Sequence, residues 1–276
     1  MGCERTPIGH LITRVGVSLR SLFRKRRASL VHLWPLACGL WQAGCTKDLH
    51  LIDDPPNAAA GTTTGPWASM IYVARTDSGV IAIDLGWTGS ERVLPQLLEQ
   101  LNATTADVRF AFLTHAHRDH IAAWPLVRQA RFVLGEAEVP AFLGEAGYSG
   151  WAAKMGDELN EYPHPKSGEL TLVPVSHDTA VSLGQDTVFA FPIPGHTAGS
   201  VAYLFRGILF GGDAINWRPG SGFQGARPEF SDSIAQNRAT LRALWARLPA
   251  SRVRLVCTAH GKCAAADSAL RSRVLR

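Results

Sequence analysis

The chain has 276 residues, of which 46% are hydrophobic and 18% charged, a balance that excludes a disordered chain and allows one sizeable core or two small ones. Its formal charge of +5 is uneven: residues 1–44 hold seven Lys/Arg (Arg5, Arg14, Arg20, Arg24, Lys25, Arg26, Arg27) against Glu4, which leaves 21 bases and 22 acids for the rest. A body without positive excess has little general pull on phosphate backbones, so no nucleic-acid partner is expected.

In chain order, "FRKRR" is followed by "ASLVHLWPLACGLWQAGC", an apolar run of about the length of a secretory core segment. His32, Pro35 and Gln42 interrupt it too often for a comfortable membrane span. Residues 1–45 therefore read as an export signal. Ala43-Gly44-Cys45 resembles the small-small-Cys end of a bacterial lipobox, with Gln42 where that motif prefers Leu, and "RRASL" weakly resembles a twin-arginine signal. The expected location is the periplasm or, through lipid on Cys45, the membrane surface. The membrane is then met only through this segment, and the competing reading is an apolar N-terminus packed on the domain. Residues 46–65, "TKDLHLIDDPPNAAAGTTTG", lack large apolar side chains and read as a tether, with the folded domain spanning 66–276 and beginning near Trp67.

Within the domain, "SMIYVAR" and "VIAIDLG" flank an Asp-Ser-Gly turn and predict a hairpin. "SERVLPQLLEQL" predicts a helix capped by Ser90, with Val93, Leu94, Leu97, Leu98 and Leu101 at helical spacing. "RFAFLT" reads as a buried strand, "AWPLVRQA" as a short helix, "RFVLG" as a strand and "EAEVPAFLGEA" as helical. The second half brings strands at "ELTLVPV", "AVSLG", "TVFAFPIP", "SVAYLFRG" and "ILFGGD". A helix follows at "SIAQNRATLRALWARL", capped by Ser231 or Asp232, then a strand at "VRLVCT" and a short C-terminal helix. Two strand-rich halves, each closed by helices, predict an α/β domain of two sheets packed face to face with helices outside. Cys257 and Cys263 form no CxxC pair and read as buried or inert thiols.

The stretch "FLTHAHRDH" places His115, His117, Asp119 and His120 as His-x-His-x-Asp-His directly behind a strand. Neutral imidazole and carboxylate are ligands that Zn²⁺ accepts, and four donors leaving one strand call for partners elsewhere. His196 in "PIPGHTAGS", Asp213 in "LFGGDA" and His260 in "VCTAHG" each follow an apolar strand run among small residues. Of the other histidines, His164 and His177 read as loop or surface residues, and His10, His32 and His50 lie in the signal or tether.

This order and spacing, from about Trp67 to His260, resembles the metallo-β-lactamase-fold hydrolase superfamily, on its glyoxalase-II-like or lactonase-like branch. The resemblance implies a four-layer αβ/βα sandwich and two Zn²⁺ per chain. It assigns His115, His117 and His196 to one ion, Asp119, His120 and His260 to the other, and Asp213 as the bridge. Asp84, in "IDLG", would support the site without ligating, and Asp119 and Asp213 would be the catalytic carboxylates. The implied chemistry is attack of a metal-bridging hydroxide on the ester, thioester or lactone carbonyl of a small-molecule substrate. Trp124 and Trp217 are candidates to wall an apolar acyl pocket. Two alternatives stay open: hydrolysis of β-lactams, for which a bridging aspartate is unusual, and a mononuclear iron persulfide dioxygenase that leaves Asp119 and His120 unligated.

Overall fold

A computed structural model describes residues 57–62, 68–87, 89–159, 162–248 and 252–266. Residues 1–45, read above as an export signal, Trp67 and residues 267–276 lie outside the described residues, and so do His10, His32 and His50.

The first half builds a six-stranded sheet from β1 (Ala58–Thr62), β2 (Met70–Thr76), β3 (Gly79–Ile83), β4 (Val108–Phe112), β5 (Arg131–Gly135) and β6 (Thr171–Val175), in that spatial order. The first three strands pair antiparallel, and β3 to β6 run parallel. The second half supplies β7 (Thr179–Leu183), β8 (Asp186–Pro192), β9 (Val201–Phe205), β10 (Ile208–Phe210), β11 (Ile215–Arg218), β12 (Gly222–Gly225), β13 (Leu255–Cys257) and β14 (Cys263–Ala265). All but the separate β11–β12 hairpin form a second six-stranded sheet, ordered β14-β13-β10-β9-β8-β7. The helices are α1 (Ser90–Glu99), the single turns α2 (Arg118–Ile121) and α3 (Val139–Phe142), α4 (Trp151–Leu159) and α5 (Ile234–Arg247).

Side chains alternate across a strand, so each sheet has two faces to cover. Tyr72, Ile81, Ile83 and Phe112 of the first sheet bury one face against Val188, Tyr203, Phe205 and Phe210 of the second. Aromatic pairs span that interface, with Tyr72 and Phe210 centred 4.8 Å apart and Phe112 and Tyr203 5.3 Å apart. The neighbours Ile71, Val73, Val80 and Ala82 point the other way, onto Leu94, Leu97 and Leu98 of α1. Ala202, Leu204 and Leu209 likewise pack on Leu241, Leu244 and Trp245 of α5. The result is the expected α/β architecture with two sheets between helical layers. Strands buried on both faces also explain why "VIAI", "RFAF" and "SVAYLF" read as nearly continuous apolar runs.

Several local expectations are corrected. Residues 58–62 of the supposed tether form β1, which pairs with β2 as an edge strand. Its small residues suit it to lie beneath α1, since a Cβ on Gly61 would sit 3.2 Å from Leu97. Gly89, at φ 98°, replaces Ser90 as the α1 cap, and Ser233 rather than Ser231 or Asp232 caps α5 by accepting the Gln236 N–H. The "AWPLVRQA" helix shrinks to a 3₁₀ turn at Trp124–Val127, and "EAEVPAFLGEA" to a 3₁₀ turn plus α3; Pro125 and Pro140 each stand at the start of a turn. The segment after "VRLVCT" turns back as β14, the expected short C-terminal helix falls outside the described residues, and α4 and the β11–β12 hairpin are additions. Cys257 and Cys263 are not free thiols: they are direct cross-strand partners of β13 and β14 and form a disulfide. Register, not spacing, brings them together.

Candidate metal centre

Every predicted donor lies where a strand ends. His115 and His117 leave β4, Asp119 and His120 stand on α2, His196 lies in the β8–β9 loop, Asp213 follows β10, and His260 sits between β13 and β14. Three groups of donors result: His115, His117 and His196; His115, His120 and Asp213; and Asp119, His120 and His260. All seven predicted residues are thus brought together. In the first group His115 Nε2 is 2.9 Å from His117 Nδ1, and His196 Nε2 is 3.2 Å from each of them. In the third, Asp119 Oδ2 is 2.9 Å from His260 Nε2 and 3.7 Å from His120 Nε2. Asp213 lies between the groups, its Oδ2 3.3 Å from His260 Nε2 and 3.9 Å from His196 Nε2, its Oδ1 3.7 Å from His120 Nε2.

The hydrogen bonds behind the rings decide which nitrogens face inward with a lone pair. The Asp84 carboxylate accepts the Thr114 N–H at 2.8 Å, the Thr114 hydroxyl at 2.8 Å and the His120 Nδ1–H at 2.8 Å. With its proton given to Asp84, the Thr114 oxygen is an acceptor for His115 Nδ1–H at 3.1 Å. The Ser231 hydroxyl donates to the Arg227 carbonyl, so it accepts the His196 Nδ1–H at 3.0 Å; the Ala68 carbonyl accepts the His260 Nδ1–H at 2.8 Å. His115, His120, His196 and His260 therefore all keep their proton on Nδ1 and turn Nε2 toward the centre, the nitrogen that can ligate an ion once it carries no proton. Asp84 holds this post at φ 53°, directly after β3, where a short polar side chain is among the few that tolerate the left-handed region.

Ring nitrogens turned on one another at about 3 Å repel unless a cation lies between them. His120 Nε2 and Asp213 Oδ1 are moreover buried without a hydrogen-bond partner, a cost that a coordinated ion would remove. The donor set thus fits a divalent metal with a preference for imidazole and carboxylate. Burial holds His115 and His117 well below the ordinary histidine range and His196 down to about 4, so all three stay neutral near pH 7, the form that binds metal. At His120 and His260 burial works in the same direction, but Asp84 for the one and Asp213 for the other outweigh it and raise both. Burial would raise Asp119 and Asp213, yet the neighbouring histidines win and keep both carboxylates ionised.

Residues around the centre sort differently from expectation. Trp124 does not wall a pocket: it is 2% exposed in the core, its Nε1–H donating to the Pro163 carbonyl at 2.8 Å. Trp217 is half-buried on β11 against Gly261 of the His260 loop, with the Lys262 ammonium 4.5 Å over its ring. A cavity of about 460 Å³ is lined by Tyr148, Asp157, Tyr162 and His164, and the Tyr148 ring packs 4.3 Å from that of His117. His164 otherwise bonds the Phe142 carbonyl, and His177 is exposed on a turn. Sequence reasoning missed Thr114, Glu138 and Ser231. Thr114 sits inside the recognised motif and was within reach; Glu138 and Ser231 carry no spacing that marks them.

Fold and site together define the class, an αβ/βα sandwich with a His/Asp metal centre at the strand exits. Residues 64–260 match the Metallo-beta-lactamase superfamily model, and the chain belongs to that superfamily. Among relatives, YobT of Bacillus subtilis (strain 168) is 26% identical over 56% of this chain and 65% of its own length, so the chain spans just under two thirds of that protein. YqgX of the same organism, a probable metallo-hydrolase, is 27% identical over 64% of this chain and 76% of its own length. The hydroxyacylglutathione hydrolase of Shewanella halifaxensis (strain HAW-EB4) is 26% identical over 60% and 54%. The subclass B3 metallo-beta-lactamase BJP-1 of Bradyrhizobium japonicum superposes with a TM-score of 0.53 at 24% identity, covering 70% of this chain and 71% of the other. TTHA1429 of Thermus thermophilus, a metallo-beta-lactamase family protein, gives 0.58 at 18% identity over 79% and 77%. At these identities the two structures speak for the fold alone.

Proposed function

We propose that the chain is a binuclear zinc hydrolase acting on the ester, thioester or lactone carbonyl of a small molecule. His115, His117 and His196 would hold one ion, Asp119, His120 and His260 the other, and Asp213 both. The observation that carries the reading is the position of Asp213, whose Oδ2 lies 3.9 Å from His196 Nε2 and 3.3 Å from His260 Nε2 while its Oδ1 lies 3.7 Å from His120 Nε2, so the carboxylate stands between the two half-sites. Zinc, when bound, supplies a Lewis acid for a carbonyl oxygen and lowers the pKa of water to about 7. The chain's own part is to keep Asp119 ionised, so that this carboxylate can accept a hydrogen bond from the attacking water and orient it. Asp84 and Thr114 hold the His115 and His120 rings in the tautomers the site needs. The relative named a hydroxyacylglutathione hydrolase supports an acyl carbonyl as the target. A panel of an aryl ester, an acyl thioester, an acyl-homoserine-type lactone and a β-lactam tests this: turnover of one of the first three is expected, and turnover of the β-lactam alone would replace the reading.

We also propose export through residues 1–45. The Cys257–Cys263 disulfide supports an oxidising compartment, where such bonds persist. Native protein whose mass begins at a lipidated Cys45 is the expected result. Membrane-free native protein that retains an unlipidated segment ahead of Cys45 would refute the lipid anchor.

A further inference from the structure

Glu138 is a buried acid that neither the ligand set nor the proposed reaction uses. It ends the 3₁₀ turn Glu136–Glu138 behind β5 and is 1% exposed. Its Oε2 accepts the N–H of Ala116 at 2.8 Å, and its Oε1 accepts the N–H of Gly199 at 2.8 Å. Ala116 is the residue between His115 and His117, and Gly199 lies three residues beyond His196. A single carboxylate thereby holds both loops that supply the three-histidine group. Thr197, next to His196, adds a side-chain hydrogen bond to the same carboxylate.

The packing around Glu138 is built for this contact. A Cβ on Gly135 would fall 1.9 Å from the Gly199 carbonyl oxygen, and one on Gly199 would fall 2.6 Å from the Glu138 nitrogen. Only glycine at both positions lets the β8–β9 loop lie this close to the end of β5. A carboxylate buried at such a place is costly unless satisfied, and the groups that satisfy it are the backbones of the two ligand loops. Separating the loops would strand the carboxylate, so burial ties the position of His196 to that of His115 and His117.

We propose that Glu138 is the positioning residue of the three-histidine half-site, a clamp that sets the gap between the β4–α2 and β8–β9 loops before an ion arrives. This rests on the metal-centre reading above. It predicts an asymmetric effect, because Glu138 bonds the backbone at Ala116 and Gly199 and the side chain of Thr197, all beside the three histidines, and makes no such bond to Asp119 or His120 on α2 or to the loops that carry Asp213 and His260.

The test uses the full chain, stripped of metal by a chelator, as parent, Glu138→Ala and Glu138→Gln, with Zn²⁺ affinity measured by calorimetry and amide exchange by NMR. Glu138→Ala should weaken one ion about tenfold to hundredfold, the usual scale for losing support behind a ligand, and leave the other within about twofold. Glu138→Gln keeps the shape and one acceptor oxygen but turns N–H groups toward one loop amide, so it should recover part of the loss. In the metal-free variants the Ala116 and Gly199 amides should exchange faster than in the metal-free parent. If Glu138→Ala fails to fold, Glu138→Gln carries the same comparison. Equal weakening of both ions, or unchanged affinity and exchange, would overturn the clamp while the metal centre stands. A parent that binds no divalent ion would overturn the metal centre and the clamp with it.

Discussion

Replacing Asp213 by alanine is expected to weaken at least one ion and to lower kcat by about tenfold to hundredfold on whichever substrate the panel identifies. The reason is geometric and electrostatic together. Asp213 is buried and ionised, and its oxygens lie within 4 Å of His120, His196 and His260. Without it, both half-sites lose the carboxylate that faces them at once, so the charge that would stabilise two nearby cations disappears. Asp213→Asn keeps the shape and loses the charge; it should recover part of the metal affinity and little of the rate. Zinc stoichiometry and kcat for both variants decide the matter. Two tightly held zinc ions with unchanged kcat in Asp213→Ala would show that the residue does not bridge, and the β-lactamase-like alternative would become the better account.

His115→Ala is expected to abolish turnover and to lower metal content. His115 takes part in two of the three donor groups, with His117 and His196 on one side and His120 and Asp213 on the other. Its removal also frees the Thr114 oxygen that orients it, although Thr114 keeps its bonds to Asp84. The ring lies in a polar cluster rather than in either sheet interface, so the fold should survive and the loss should be read in metal and rate rather than in solubility. Wild-type stoichiometry with wild-type turnover in this variant would make the site assignment wrong.

The donors were legible because a metal centre demands particular side chains, and those at positions 115 to 120 are packed too densely for chance. His196, Asp213 and His260 were legible because each follows an apolar strand run, which is where a parallel or mixed sheet delivers side chains to one rim. The partners of the ligands were harder to see. Ser231 and Glu138 work through one oxygen or one carboxylate, reach across 35 and 61 residues of chain, and obey no local spacing. Edge strand β1 escaped because "AAAGT" carries no β-branched apolar residue before Thr62 and gains its pairing from β2. The Cys257–Cys263 bond escaped for a related reason: a six-residue separation becomes a bridge only once β13 and β14 are paired in register, with the His260 loop between them.

The most direct test of a binuclear zinc centre is elemental analysis of the purified full chain, beside its Asp119→Ala variant. Two zinc per chain, falling in Asp119→Ala together with the hydrolytic rate, is the predicted result. One iron per chain, retained in Asp119→Ala with no loss of activity, would contradict it, since Asp119 and His120 would then stand outside the metal's coordination.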